Sequence, residues 1–268
     1  MDDDGQIARA LVMARSQDAV LDAYPGRLPT SLAEAYAIQD VAIGLSGARI
    51  AGWKLGRVAA DAALHFGSSR LAGPIFADAI VDAASGGLPA MPVLRGFAAV
   101  EAELLVRTAR AVPGNVTLGQ VPDYVQEVRI GLEIASSPFV GINDNGPAVT
   151  ASDFGNNHGL VLGPSIPDWR ERDLLRAPVS LRIDGAVAGE GCAADMLDGP
   201  FGSVAFLAHL LAERGHGLGP GCWISTGALT GVHPIAVGQV AEASFDEDFH
   251  VGCAIRAFQP TTRNGEAT

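Results

Sequence analysis

The stretch Ala99-Val100-Glu101-Ala102-Glu103-Leu104-Leu105-Val106 sets two acidic side chains two positions apart within an apolar run. Read as a strand, it places both carboxylates on one face, roughly 6.5 Å apart at ~3.3 Å per residue. Like charges held side by side repel, and one tends to take up a proton unless a cation or basic group lies between them. A hard divalent ion satisfies that requirement; the alternative is the outward polar face of an edge strand.

Working outward, a third carboxylate lies in Ile130-Gly131-Leu132-Glu133-Ile134-Ala135, with apolar residues on both sides, so Glu133 is expected to face inward. Oxygen-only ligation by Glu101, Glu103 and Glu133, without His or Cys, suits Mg²⁺ or Mn²⁺ rather than zinc, and leaves coordination positions for a bidentate ligand and water. A structural salt bridge from Glu133 to an arginine is the competing reading. Upstream, Gly52-Trp53-Lys54-Leu55-Gly56 holds the only lysine of the chain; the other seventeen strong bases are arginine. A compact ammonium tunable by burial is something arginine does not provide, which makes Lys54 a candidate catalytic group. A lysine snorkelling from a strand end is the alternative.

Downstream, Asp153 lies in the Gly- and amide-rich loop Ser152-Asp153-Phe154-Gly155-Asn156-Asn157-His158-Gly159. Such loops often line sites, and Asp or Asn there also cap their own backbone. Thr226-Gly227-Ala228-Leu229-Thr230-Gly231 offers amides and hydroxyls but lacks the Lys of a phosphate loop, and reads as a pocket wall. No histidine pair has metal-ligand spacing, and no Gly-x-Ser-x-Gly elbow supports a serine hydrolase.

Around these motifs the periodicity divides the chain. Helical spacing runs from Gln6 to Tyr24, where Pro25-Gly26 stops it, and a second helix is predicted from the Ser31/Glu34 capping box to Gly44. A strand from Arg49 to Gly56 and a short helix from Ala59 to Phe66, closed by Gly67, complete an N-terminal helical segment, 1–75. From about Phe97 strands dominate: Ala98–Val106, Gly131–Ala135, Val179–Ile183 with a hairpin at Asp184-Gly185, Cys222–Ser225 and Val251–Phe258. Phe201–Arg214 is the one long helix in this half. The pattern predicts an α+β fold, a small helical N-terminal part on a β-rich mixed-sheet core spanning 76–260, followed by a polar, disordered tail, 261–268.

Composition bounds the partners. With 268 residues and 48% hydrophobic content the chain can bury a full core, and a net charge of −12 has the wrong sign for wrapping nucleic acid or coating anionic membranes. A small-molecule partner is expected. Cys192, Cys222 and Cys253 form no Cys-x-x-Cys pair, the start Met1-Asp2-Asp3-Asp4-Gly5 is acidic where a signal would be basic, and the charge-free stretch Gly215–Ala241 is broken by seven glycines and two prolines. A reduced, cytoplasmic protein with no membrane span is predicted.

Taken in order, these motifs resemble the 2-keto-4-pentenoate hydratase and 4-oxalocrotonate decarboxylase group of the fumarylacetoacetate hydrolase superfamily. The residues that carry the resemblance run almost end to end: Ala35-Tyr36-Ala37-Ile38-Gln39, Gly52-Trp53-Lys54-Leu55-Gly56, Val100-Glu101-Ala102-Glu103, Glu133, Asp153, Gly189-Glu190-Gly191 and Ser225-Thr226-Gly227-Ala228-Leu229-Thr230. Departures fall around the substrate. Ser136-Ser137-Pro138 stands where a Ser-Arg pair is usual, Phe154 and Asn156 replace an amide and a hydroxyl, and Leu71-Ala72-Gly73 lacks the usual Pro and polar or aromatic pair.

The resemblance implies a homo-oligomeric metal-dependent lyase acting on a small 2-oxo acid in aromatic-compound catabolism, with Glu101, Glu103 and Glu133 as ligands. Lys54 and Asp153 would be catalytic, and Asn156, Thr226 and Thr230 would bind substrate. Hydration of a 2-hydroxy-2,4-dienoate is the leading expectation and 4-oxalocrotonate-type decarboxylation the alternative. Burial and the cation are expected to bring Lys54 toward a neutral pKa. Two rivals remain: an acylpyruvate-type C–C hydrolase, for which the N-terminal half shows no His-Glu pair at helical spacing, and a non-catalytic paralogue that binds a 2-oxo acid.

Overall fold

The computed structural model describes residues 3–260, so the expected 261–268 tail lies outside the described residues. Helices α1 (Asp3–Gln17) and α2 (Leu32–Ser46) precede β1 (Ile50–Arg57), α3 (Ala60–Phe66), β2 (Arg70–Phe76), β3 (Ile80–Asp82) and β4 (Ala90–Val93). Two long strands follow, β5 (Phe97–Thr108) and β6 (Val125–Ser137), then α4 (Pro147–Ser152) and β7 (Asn157–Ser165). The remainder comprises β8 (Val179–Ile183), β9 (Ala186–Gly191), α5 (Gly199–Glu213), β10 (Trp223–Ser225), β11 (His233–Pro234), β12 (Val240–Phe245) and β13 (Phe249–Ala257). The fold is α+β, as the segregation of helical and strand-like stretches predicts. Among the described residues no helix is long and apolar enough to cross a membrane.

The first sheet has the order β2-β1-β10-β5-β6-β7-β3, with β11 also paired to β5; the second has the order β4-β13-β12-β8-β9. Both mix parallel and antiparallel pairs. Period two along β5 and β6 explains how the sheets meet. Val100, Ala102, Leu104 and Val106, with Ile130, Leu132 and Ile134, join Leu181, Ala241, Phe245, Val251 and Ile255 of the second sheet in one buried cluster. The odd positions of β5, Glu101 and Glu103 among them, therefore face the opposite side of the first sheet. A one-residue slip would drive carboxylates into the apolar core, so burial pins the register.

The N-terminal helices attach near β2. Gln39 of α2, fully buried, donates its amide to the carbonyls of Ala72 and Ala151, at 3.0 and 2.7 Å, and the Tyr36 hydroxyl accepts from Ala72 N–H. The Ser31 hydroxyl caps α2 by accepting from Glu34 N–H, but the Glu34 carboxylate returns to Thr30, not Ser31. The helix then runs past Gly44 to a left-handed Gly47.

Helix α1 ends at Gln17 instead of continuing to Tyr24. Asp18 turns left-handed at φ 51° and accepts from Arg95 N–H, while Leu21 exchanges backbone hydrogen bonds with Pro138 and Val140. Long-range partners override the helical spacing there. The sequence reading also misses β2 and β4, each carrying a proline. Both are edge strands, where a missing N–H costs no ladder bond.

Between α4 and β7 the chain makes a turn, Phe154–Asn156, in which three successive residues are left-handed (φ 56°, 61° and 56°). That turn presses on β2: a Cβ on Gly73 would lie 1.9 Å from the Phe154 carbonyl oxygen. Gly73→Ala is accordingly expected to lower stability by about 1–3 kcal/mol, because the obstructing atoms are backbone and cannot rotate away. Urea unfolding midpoints check this, and an unchanged midpoint would show that the turn does not sit against β2.

Candidate metal centre and its cavity

Antiparallel pairing of β5 and β6 sets Glu101 directly opposite Glu133, and Glu103 opposite Gly131. Side chains directly opposite one another have Cβ atoms about 4.5–5.5 Å apart, so all three carboxylates converge. One oxygen from each lies within 4.8 Å of the others. The strands are central, not edge strands, and the three residues are 4%, 0% and 0% exposed. The outward-polar-face reading is thereby excluded.

Neighbouring strands supply the partners. Lys54 of β1 pairs in register with Ser225 of β10 and Gly73 of β2, and its Nζ lies 3.2 Å from Glu133 Oε1. Glu133 is thus ion-paired to the lone lysine, not to an arginine. Its Oε1 also accepts from the Asn157 amide at 3.0 Å, and Glu103 Oε2 accepts from Ser225 Oγ at 2.6 Å and from Gly227 N–H at 2.9 Å. Glu103 Oε1 and Glu133 Oε2 are buried with no hydrogen-bond partner. Such orphaned acceptors are costly in a protein interior.

Ionised together, the three carboxylates would leave two negative charges uncompensated by the one ammonium. A divalent ion with oxygen preference fits the donor set on three counts: charge, oxygen-only chemistry and the two bare oxygens.

The electrostatics follow from burial. Burial pushes the Glu101 carboxyl up to about 7, with Lys54 opposing and Glu133 adding to the rise. Glu103 is also held well above the ordinary carboxylate range, by burial first and then by Glu133 and Glu101. For Lys54, burial favours the neutral amine, but Glu133, Glu101 and Glu103 together reverse this and raise its pKa above the ordinary lysine value. In the metal-free protein the carboxylates thus favour the ammonium, a donor, whereas the sequence reading expected burial and a cation together to bring Lys54 toward neutrality.

Lys54, Glu101 and Asn156 line a cavity of about 770 Å³, with Arg57, Leu71, Asn143, Met196 and Leu229 also on its wall. Asn156 Oδ1 accepts from Lys54 Nζ at 3.4 Å. The other expected site residues lie elsewhere. Asp153 is not on this wall, because Arg15 and Ser137 take up both of its carboxylate oxygens. Thr226 is buried with its hydroxyl donated to the Leu104 carbonyl, so it braces β5 instead of facing the cavity. Thr230 has a buried, unpartnered hydroxyl between Leu229 and Gly231, both of which do line the cavity. Sequence reasoning missed Ser225, Asn157 and Arg15. For Ser225 and Asn157 the signal is weak: a polar residue adjoining an already suspected one.

No family model matches the chain. It is 31% identical over 140 residues to the 4-oxalocrotonate decarboxylase of Pseudomonas sp. (strain CF600), a match covering 52% of this chain and 53% of that protein. The chain thus spans about half the length of the curated relatives it matches. Among solved structures it superimposes on 4-oxalocrotonate decarboxylase from Pseudomonas putida G7, complexed with magnesium and adipate. The TM-score is 0.77 at 23% identity, over 94% of this chain and 97% of that one.

The chain has the fumarylacetoacetate hydrolase fold. Within that fold it resembles the 2-keto-4-pentenoate hydratase and 4-oxalocrotonate decarboxylase group, as its motifs imply. A more distant example of the fold is fumarylpyruvate hydrolase from Pseudomonas aeruginosa, in complex with Mn²⁺ and pyruvate. Its TM-score is 0.60 at 19% identity, covering 79% of this chain and 91% of that one.

The centre's charge imbalance has a measurable consequence. Glu101 has its folded pKa raised from 4.5 to about 7, so between those values the metal-free folded protein binds more protons than the unfolded chain. Stability is then expected to fall as pH rises through that window, by on the order of 3 kcal/mol at ~1.4 kcal/mol per pKa unit. Saturating Mg²⁺ should remove most of the loss above pH 7. Urea titrations across pH 4–8, with chelator and with Mg²⁺, test this; superimposable curves would contradict a cation among the three glutamates.

Proposed function

We propose that the chain is a divalent-metal-dependent lyase acting on a small 2-oxo acid, by decarboxylation of the 4-oxalocrotonate type. The observation that carries the proposal is the buried trio of Glu101, Glu103 and Glu133, with two bare oxygens, opening beside the Lys54 ammonium into a cavity sized for a small ligand. The names of the relatives favour decarboxylation over the hydration first expected from the motifs.

Glu101, Glu103 and Glu133 would hold the ion, Mg²⁺ or Mn²⁺, which supplies Lewis-acid stabilisation of negative charge on oxygen. Loss of CO₂ releases an electron pair into the conjugated 2-oxo system, and charge collects on the 2-oxo oxygen. Lys54 would donate a hydrogen bond from Nζ to that oxygen, from the ammonium form that its carboxylate neighbours favour in the metal-free protein. Asn156 would hold the same ammonium in line from the far side. Leu71, Met196 and Leu229 would keep water from the reacting carbons. Arg57 is the second cation on the wall and would meet a distal carboxylate.

A hydratase remains the second reading, because Asp61, Asp144 and Asp195 share the wall with Arg57 and favour a substrate whose far end is uncharged. Among the described residues no histidine lines the cavity, which gives an acylpyruvate-type hydrolase no imidazole base there.

Incubating the Mg²⁺-loaded protein with 2-oxo-3-enedioates, 2-hydroxy-2,4-dienoates and acylpyruvates should release CO₂ from the first class. Water addition to the second class alone would assign the hydratase, and oxalate binding without turnover of any would leave a non-catalytic binder. Lys54→Met is expected to keep the fold and still bind Mg²⁺ by calorimetry while lowering kcat about 10²–10³-fold. Unchanged turnover would remove Lys54 from the reaction.

A further inference from the structure

Helix α1 gives no residue to the wall of the large cavity, yet its Arg15, 8% exposed, reaches deep into the molecule. Its guanidinium forms a fork on Asp153, with Nε 2.5 Å from Oδ1 and Nη2 2.9 Å from Oδ2. Nη2 also donates to the carbonyls of Ser136 at 3.0 Å and Asp153 at 3.1 Å, and Nη1 to that of Asn157 at 3.1 Å. One side chain thereby ties the end of β6 to both flanks of the Phe154–Asn156 turn. Ser137 Oγ completes the clamp by donating to Asp153 Oδ2 at 2.6 Å.

The clamped turn is one the backbone would not adopt unaided. Phe154 and Asn156 are left-handed non-glycine residues on either side of a left-handed glycine, and such conformations persist only where surroundings over-determine them. It touches Lys54 twice. A Cβ on Gly155 would sit 3.1 Å from Lys54 Cδ, so the peptide walls the alkyl stem, and Asn156 Oδ1 accepts from Nζ at 3.4 Å. Remove the guanidinium, and the flanks of the turn lose four hydrogen bonds that oppose its relaxation, together with the tie to Ser136 of β6.

We infer that Arg15 is a positioning residue: through Asp153 it holds the left-handed turn that sets Lys54 against Glu133, so that α1 completes the site without touching the cavity. The bearing on turnover rests on the role proposed above for Lys54; the bearing on Lys54's surroundings does not.

Because Lys54 is the only lysine, protein labelled with [¹⁵N]lysine reports its ammonium as a single resonance. Arg15→Ala should shift or broaden that resonance with Mg²⁺ affinity unchanged, and lower kcat at least 10-fold with KM within about 3-fold. Arg15→Ala combined with Asn156→Ala should be no slower than Asn156→Ala alone, since both act through one turn. Arg15 also lines a second cavity of about 400 Å³, so millimolar guanidinium should restore part of the Arg15→Ala loss and leave the unaltered protein unaffected.

An unshifted Lys54 resonance in Arg15→Ala overturns the inference whether or not Lys54 proves catalytic, as do losses that multiply in the double variant. Should Arg15→Ala not fold, Arg15→Gln keeps a polar side chain of similar reach and loses the charged fork without adding a second lysine. It should move the resonance in the same direction, and an unaltered spectrum and kcat in that variant overturn the inference equally.

Discussion

Three carboxylates and one ammonium buried at the middle of a sheet form the interaction on which the rest of the molecule is arranged. Charges removed from water are tolerated only when paired, hydrogen-bonded or bound to an ion. Here the pairing is incomplete: Lys54 answers one carboxylate directly, Ser225 and Gly227 satisfy one oxygen of a second, and two oxygens remain bare. Those unfilled oxygens are the ones that the proposed cation would occupy.

The fold supplies that centre through pleat and register. Adjacent central strands bring Glu101 and Glu133 face to face, while even-numbered neighbours of the same strands fill the core between the sheets. Apolar burial on one face therefore fixes the geometry of the charged face, and neither can slip alone. The helices play a different part. Gln39 and Tyr36 hold α2 to β2, Arg15 holds α1 to the turn at Asp153, and both attachments converge on the strand pair that carries Lys54.

Much of the site is legible because it follows short-range rules. Glu101 and Glu103 share a face by the period of a strand, Glu133 sits among apolar neighbours, and Lys54 stands out in a chain that otherwise uses arginine. Other residues were legible as a region but not as roles. Asp153 and Thr226 lie beside the site, yet each spends its polar atoms on a partner far away in sequence, Arg15 in one case and Leu104 in the other. The end of α1 escaped for the same reason. Nothing local announces that Asp18 will receive Arg95, or that Leu21 will bond to Pro138.

The sequence alone determined which residues carry charge inside apolar strands, and so where an acidic centre with a single lysine was to be sought; alternation and composition are local properties, written in the order of residues. Tertiary structure alone decided that Lys54 pairs with Glu133, that Asp153 serves Arg15, and that a strained turn stands between α1 and the site. Each of those outcomes depends on distance and burial between groups far apart in sequence, and electrostatic energies in a low-dielectric interior are set by their separation in space.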